Sequence, residues 1–214
     1  MNSEEAKELA GIRPHIQIYR KHKNAKQHKK LRKGTGTALF IGRFQPIHVG
    51  HLNVIKNIVK NCGKLVIGVG SSQYGYTRDN PFTYEERWIM IKYCLQCVGI
   101  KDVSIHSVPD IHDPENWVQH VKDCVGHFDI IYAGNDFTIK LFEKYDDTVE
   151  IRRITNTKNT INGTLLRELI SNWPETVWYE LVSLPIRSLI INWKGDERIW
   201  YLNKHRNKGE KKYE

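Results

Sequence analysis

The chain has 214 residues, of which 40% are hydrophobic, and carries 33 Lys and Arg against 24 Asp and Glu. That length suits one domain with tails or a small helical appendage, and no stretch approaches the roughly 18 apolar residues of a membrane span. The net charge of +9 sits at the ends: residues 1–36 hold ten basic and three acidic side chains, residues 204–214 hold five and two, and the body between them is nearly neutral.

Met1 to Ala10 is polar and acidic, so no secretory leader is expected. His15 to Lys33 (HIQIYRKHKNAKQHKKLRK) has few large apolar residues and many like charges, which predicts a mobile arm over 1–36 suited to a polyanion such as RNA. A solvated arm with no ligand is the plainer alternative. Gly34-Thr35-Gly36 breaks the chain, and Ala38 to Gly42 then reads as a short buried strand.

From there strands and helices alternate. His51 to Asn61 is a predicted helix, Lys64 to Gly70 a strand, and Thr83 to Cys97 a helix opened by a Thr83–Glu86 capping box. Val103 to Val108 is a strand, Asn116 to Val125 a helix, Ile130 to Ala133 a strand, Asp136 to Lys144 a helix, and Val149 to Ile151 a short strand. Helices over Thr164 to Ser171, Pro174 to Val182 and Pro185 to Trp193 complete the series. Short apolar strands between amphipathic helices predict an α/β fold, a Rossmann-like doubly wound parallel sheet of about five strands with C-terminal helices. One domain is expected over 37–203, followed by a basic tail over 204–214. Ligands on such sheets bind beyond the strand C-termini, where strand order reverses.

The strongest local signal is Gly42 to His51, GRFQPIHVGH, directly after the first strand. His48 and His51 are three apart, so at a helix-opening turn their rings can share one side. Gly50 lets a phosphate approach the backbone, and the helix N-terminus adds free amides and partial positive charge. The alternatives are a metal pair or two surface histidines. Cys94 and Cys97 form a CxxC inside a predicted helix with no zinc-spaced partner, and all four cysteines read as reduced thiols, with this pair buried. Arg87 reads as a structural ion pair rather than a ligand.

Taken together, GRFQPIHVGH, Gly70-Ser71-Ser72-Gln73, Asn80 to Arg87 (NPFTYEER), Val108 to Ile111, Asn116-Trp117-Val118, Tyr132 to Asn135 and Asn162 to Arg167 (NGTLLR) resemble archaeal-type nicotinamide-mononucleotide adenylyltransferases of the HxGH nucleotidyltransferase superfamily. Order and spacing hold from about residue 38 to the C-terminal helices. The resemblance implies transfer of AMP from ATP to nicotinamide mononucleotide, with nicotinate mononucleotide as a second candidate, giving the dinucleotide and pyrophosphate. It implies Mg²⁺ carried with ATP, no dedicated metal ligands, a homo-oligomer and a cytoplasmic enzyme.

Residue by residue, the resemblance implies that Arg43, His48, His51 and Arg167 are catalytic. The ATP site would be Gly42, Arg43, Phe44, His48, Gly50, His51, Gly134, Asn135, Asn162, Gly163, Thr164 and Arg167. Ser71, Gln73, Arg78, Asp110 and Trp117 would hold the mononucleotide. Trp117 offers an indole face to the cationic nicotinamide ring, with plain core packing as its alternative; for Asp110 the alternative is a helix cap. Two positions depart from the family pattern: Asn162 stands where serine is usual, and Asp136 where proline is common. Other acceptors, such as a flavin or phosphopantetheine precursor, a nucleotide sensor without turnover, and a nucleic-acid-binding protein remain as rival readings.

Overall fold

The computed structural model describes residues 34–154 and 161–205. Five strands alternate with helices: β1 (Thr37–Gly42), α1 (Val49–Asn61), β2 (Lys64–Gly70), α2 (Tyr84–Cys97), β3 (Val103–Val108), α3 (Trp117–Val125), β4 (Ile130–Ala133), α4 (Asp136–Tyr145) and β5 (Glu150–Arg153). Four further helices follow, α5 (Gly163–Asn172), α6 (Glu175–Trp178), α7 (Leu184–Asn192) and α8 (Gly195–Lys204), with a 3₁₀ turn at Tyr179–Leu181 after α6. The expected arm and tail lie largely outside the described residues, which begin at 34 and end at 205.

The strand order is β3-β2-β1-β4-β5 and every pairing is parallel, with Phe40 beside Ile67 on one side and Tyr132 on the other. Each parallel crossover returns through a helix, so both faces are covered and the central strands are apolar throughout. Alternation across β1 shows this directly. Ala38 and Phe40 enter a core built with α1, α2 and the C-terminal helices, whereas Leu39 and Ile41 enter a second core with α3 and α4. The chain moves outward from β1 to β3, then returns to lay β4 on the other side of β1. This reversal opens a crevice past the C-terminal ends of β1 and β4.

The strands expected at β2, β3 and β4 have the bounds read from sequence. Three expectations need correction. β5 is Glu150–Arg153, later than the expected Val149–Ile151, because Val149 is buried in the connection before the ladder begins. The expected helix over 174–182 is the short α6 plus a 3₁₀ turn, ended where Val182 turns extended. Helix α8 was not foreseen: Lys194 takes a left-handed conformation, and the chain re-enters a helix with Asp196 and Glu197 in the first turn and Lys204 in the last.

Candidate active site

The loop after β1 is built to hold two imidazoles. Phe44 has φ 51° and is buried, its ring edge-on to Phe40 at 5.2 Å and tilted under His51 at 4.7 Å. Its side chain is therefore the floor beneath His51. Helix α1 starts at Val49, two residues earlier than expected, and His48 is its N-cap. His48 Nδ1 accepts the amide of Gly50 at 3.1 Å, and His51 Nδ1 accepts the amide of His48 at 3.3 Å. This is a capping box with histidine in both roles. The rings stack 3.7 Å apart at 29°.

The capping bonds fix the chemistry of both rings. A nitrogen that accepts a backbone N–H carries no proton, so each neutral ring bears its proton on Nε2 and presents it as a donor. Burial holds both rings neutral: it pushes the His51 pKa down to about 3, and it lowers that of His48 well below the usual 6.5, assisted by repulsion from His51. Gly50 admits no side chain, because a Cβ there would lie 2.9 Å from two atoms of the His48 ring and 3.2 Å from Ile161.

The N-terminus of α5 sits against the same loop. Asn162 Oδ1 accepts the Leu165 amide at 2.9 Å, a side-chain cap that leaves the amides of Gly163 and Thr164 among those a helix cannot satisfy internally. Arg167 is buried, giving one bond to the Gln45 carbonyl at 3.1 Å and one to Thr164 Oγ1 at 3.4 Å. Gly163 is close enough that a Cβ would stand 3.2 Å from the Arg167 guanidinium and 3.3 Å from the Gln45 carbonyl. Burial first, then the charges of Arg43 and Arg78 opposed by Asp79, pushes the Arg167 pKa down to about 10. It remains a cation, in the field of two exposed arginines and 3.7 Å from the Asp79 carboxylate.

On the other side of the crevice, the ends of β2 and β3 are joined by side chains. Gln73 Nε2 donates to the Asp110 carbonyl and Gln73 Oε1 accepts the Asp110 amide, both at 2.9 Å. The amide of Gln73 is thus engaged by backbone. Ser71 takes a left-handed conformation at φ 49°, and Ser72 Oγ accepts from Ser107 at 2.7 Å. His120 Nε2 lies 2.9 Å from the Pro109 carbonyl. Trp117, half-buried at the start of α3, meets Phe142 edge-on at 6.0 Å, so part of the ring is core. Gly134 and Asn135 are exposed past β4, where Asn135 Oδ1 caps α4 by accepting the Phe137 amide at 2.8 Å. Asp136 pairs with Arg153.

Two sequence expectations fail here. Arg87 makes no ion pair of hydrogen-bonding range among the described residues: it is fully buried and donates to the carbonyls of Thr83, Arg43, Gly70, Ser71 and Tyr74. The CxxC is also split, with Cys94 buried and Cys97 exposed.

Three residues escaped the sequence reading. Gln45 pairs through both side-chain atoms with the backbone of Phe82, at 2.7 and 2.9 Å. Asn80 is buried, and its side-chain oxygen has no hydrogen-bond partner among the described residues. Arg198 of α8 grips Glu86 in a two-bond fork at 2.8 and 2.9 Å, donates to the Pro81 carbonyl at 3.0 Å, and lies over Tyr76 and Phe82. The C-terminal helix thereby braces the loop that carries Arg78, Asp79 and Asn80. A proline–phenylalanine pair before a capping box was the available signal for that brace; nothing in residues 194–204 marked its partner.

Residues 39–188 match the cytidylyltransferase-like family. Nicotinamide-nucleotide adenylyltransferase of Saccharolobus solfataricus is 38% identical over 163 residues, which is 75% of this chain and 93% of that protein. Nicotinamide-nucleotide adenylyltransferase 1 of Sulfolobus acidocaldarius is 37% identical, covering 76% and 93%. Among solved structures, the bifunctional NMN adenylyltransferase/ADP ribose pyrophosphatase of Francisella tularensis superposes with a TM-score of 0.64 at 23% identity, covering 79% of this chain and 53% of that one. The chain spans about half the length of that bifunctional protein, and the likeness is one of fold.

Proposed function

The chain belongs to the cytidylyltransferase-like family, and we propose on that premise that it is a nicotinamide-nucleotide adenylyltransferase, transferring AMP from ATP to nicotinamide mononucleotide with release of pyrophosphate. The names of its relatives at 34–40% identity support this acceptor. The observation that carries the chemistry is the reciprocal capping of His48 and His51, which leaves two Nε2–H donors beside a helix N-terminus.

The 5′-phosphate oxygen of the mononucleotide attacks the α-phosphorus of ATP. A new P–O bond forms as the bond to the β-phosphate oxygen breaks, and pyrophosphate leaves with the electron pair. A phosphate monoester is already a competent nucleophile near neutral pH, so the protein's work is alignment and charge stabilisation. In this reading Arg43, His48, His51 and Arg167 hold the triphosphate. Gly42, Phe44 and Gly50 shape the loop, Asn162, Gly163 and Thr164 offer a second helix N-terminus, and Gly134 with Asn135 borders the adenine. Ser71, Arg78, Asp110 and Trp117 form the mononucleotide side, to which Gln73 belongs through the Asp110 backbone it clamps. Neutral N–H donors suit a site already crowded by cations, because they bind phosphate oxygens without adding to the repulsion among arginines.

Among the described residues no group of three or more His, Cys, Asp or Glu gathers to hold a metal. The donors at the loop, imidazole N–H and guanidinium, fit phosphate oxygens. A divalent cation, Mg²⁺ in this proposal, would enter on the ATP phosphates and neutralise part of their charge.

Among the described residues no helix is long and apolar enough to cross a membrane. A cytoplasmic homo-oligomer, with residues 1–36 and 204–214 as basic segments that engage a polyanion, completes the proposal; the uneven charge supports the polyanion contact alone. The decisive test incubates the full chain with Mg-ATP and a panel of mononucleotides, including the nicotinate form and flavin and pantetheine phosphates. Dinucleotide of the NAD mass with stoichiometric pyrophosphate is expected. Release of pyrophosphate only with another acceptor would reassign the substrate.

A further inference from the structure

Arg87 has five N–H donors, and each meets a main-chain carbonyl: Nε to Thr83 at 3.1 Å, Nη1 to Arg43 and Gly70 at 3.0 and 2.9 Å, Nη2 to Ser71 and Tyr74 at 3.2 and 3.3 Å. The side chain is fully buried. No donor remains for a ligand. A buried cation is costly unless its protons are all taken, and here the acceptors belong to two different loops, the one after β1 that leads to His48 and the one after β2. A lysine has three donors in a tripod and cannot reproduce this planar fork.

The β2 loop in turn holds the β3 loop. Gln73 lies between Ser71 and Tyr74, and both its side-chain atoms clamp the Asp110 backbone. Next to it Tyr74 Oη lies 3.1 Å from His112 Nε2. The contacts therefore run without a gap from Arg43 through Arg87 to Ser71 and Tyr74, and from Gln73 and Tyr74 to Asp110 and His112. In the proposed reaction the first of these loops carries the triphosphate donors and the last carries a mononucleotide contact.

We infer that Arg87 is a positioning residue that sets the spacing between the ATP and mononucleotide subsites, with Gln73 relaying that spacing to Asp110. Neither side chain touches the reacting atoms. In-line attack needs the two phosphates aligned at contact distance, and a displacement of about 1 Å can cost on the order of 100-fold in rate. The inference rests on the assignment of the two subsites in the proposed function.

The experiment uses the full chain with Arg87→Lys and Gln73→Ala. Amide hydrogen exchange is read first, without substrate. Arg87→Lys should speed exchange at the Asp110 amide by at least about tenfold, although Arg87 does not touch that residue, while α4 and β5 stay as protected as in the parent. Unchanged protection at Asp110 in a folded Arg87→Lys protein overturns the relay. Turnover is read second: Arg87→Lys should lower kcat about 10- to 100-fold per folded molecule. Gln73→Ala, a change at an exposed side chain that leaves the core intact, should raise KM for the mononucleotide at least about fivefold with KM for ATP within twofold. Should Arg87→Lys fail to fold, Gln73→Ala decides: equal rises in both constants, or no rise in either, sinks the inference. An inactive parent chain tells against the proposed reaction, and the exchange result at Asp110 stands apart from it.

Discussion

His48 and His51 cap the helix on which they stand, each ring holding a backbone N–H through Nδ1, and the two rings stack 3.7 Å apart. In the proposed reaction, capping and catalysis share the same two side chains. The tautomer that completes the helix N-terminus is the one that offers Nε2–H to a phosphate, so the fold sets the protonation pattern before any substrate arrives.

Removing one of these donors should be expensive in rate and modest in stability. His51→Ala is expected to lower kcat about 10²–10³-fold, the usual loss for one donor aimed at developing charge. The lost cap should also lower stability by about 1 kcal/mol. Steady-state kinetics with denaturant unfolding on the same preparation separates the two effects. Turnover within twofold of the parent would remove His51 from the mechanism.

The two histidines also predict a pH response. Their folded pKa values lie below the unfolded value of 6.5, His51 at about 3. In that interval the unfolded chain binds protons that the folded chain refuses, so stability is level above about pH 6.5 and declines as pH falls from there towards 3. In nuclear magnetic resonance titrations the His48 and His51 ring signals should stay in the neutral, Nε2-protonated form through pH 5. A midpoint near 6.5 for either ring would mean that a cation, not a neutral donor, meets the phosphate.

Gly50→Ala tests the geometry without touching either imidazole. The added methyl would lie 2.9 Å from His48 ring atoms and 3.2 Å from Ile161, so the ring must swing off the Gly50 amide. A fall in kcat of about 10- to 100-fold is expected from that displacement, together with a lower melting temperature. Normal kinetics with only a stability loss would show that the site tolerates a moved His48.

Trp117 has one edge on Phe142 and is half-buried. Trp117→Ala should raise KM for the mononucleotide by about tenfold, since stacking on one ring is worth about 1–3 kcal/mol by analogy with bases on aromatic side chains. KM for ATP should hold. Trp117→Phe keeps an aromatic face and should recover most of the loss. If both constants rise together, the indole serves the core of α3 and α4 and nothing else.

Much of this was legible in the sequence because it depends on local signals. Short apolar runs closed by glycine or proline gave β2, β3 and β4, and Thr83 with Glu86 announced the start of α2 through a cap that both residues do form. The GRFQPIHVGH run placed two imidazoles on one turn. What stayed hidden depends on partners far away in the chain. On α2 the usual pattern is inverted: Arg87 is inside while Trp88 and Tyr93 face outward. An arginine's carboxylate partner can be guessed from sequence, but carbonyl acceptors cannot, because every residue has one. The same holds for Gln73, whose clamp on Asp110 uses backbone alone. Helix α8 hides for another reason. Its exposed Trp200 and Tyr201 blur the apolar stripe, and of its residues only Gly195 and Ile199 are buried.

The fork from Arg198 to Glu86 joins residues 112 positions apart. A ribosome releases this chain from the N-terminal end, so the sheet can be complete while the Arg78 loop still lacks its brace. The nascent protein must emerge past residue 198 before that loop has its fixed anchor. A nascent chain stopped at Trp193 would carry both histidines and every strand, but not this contact.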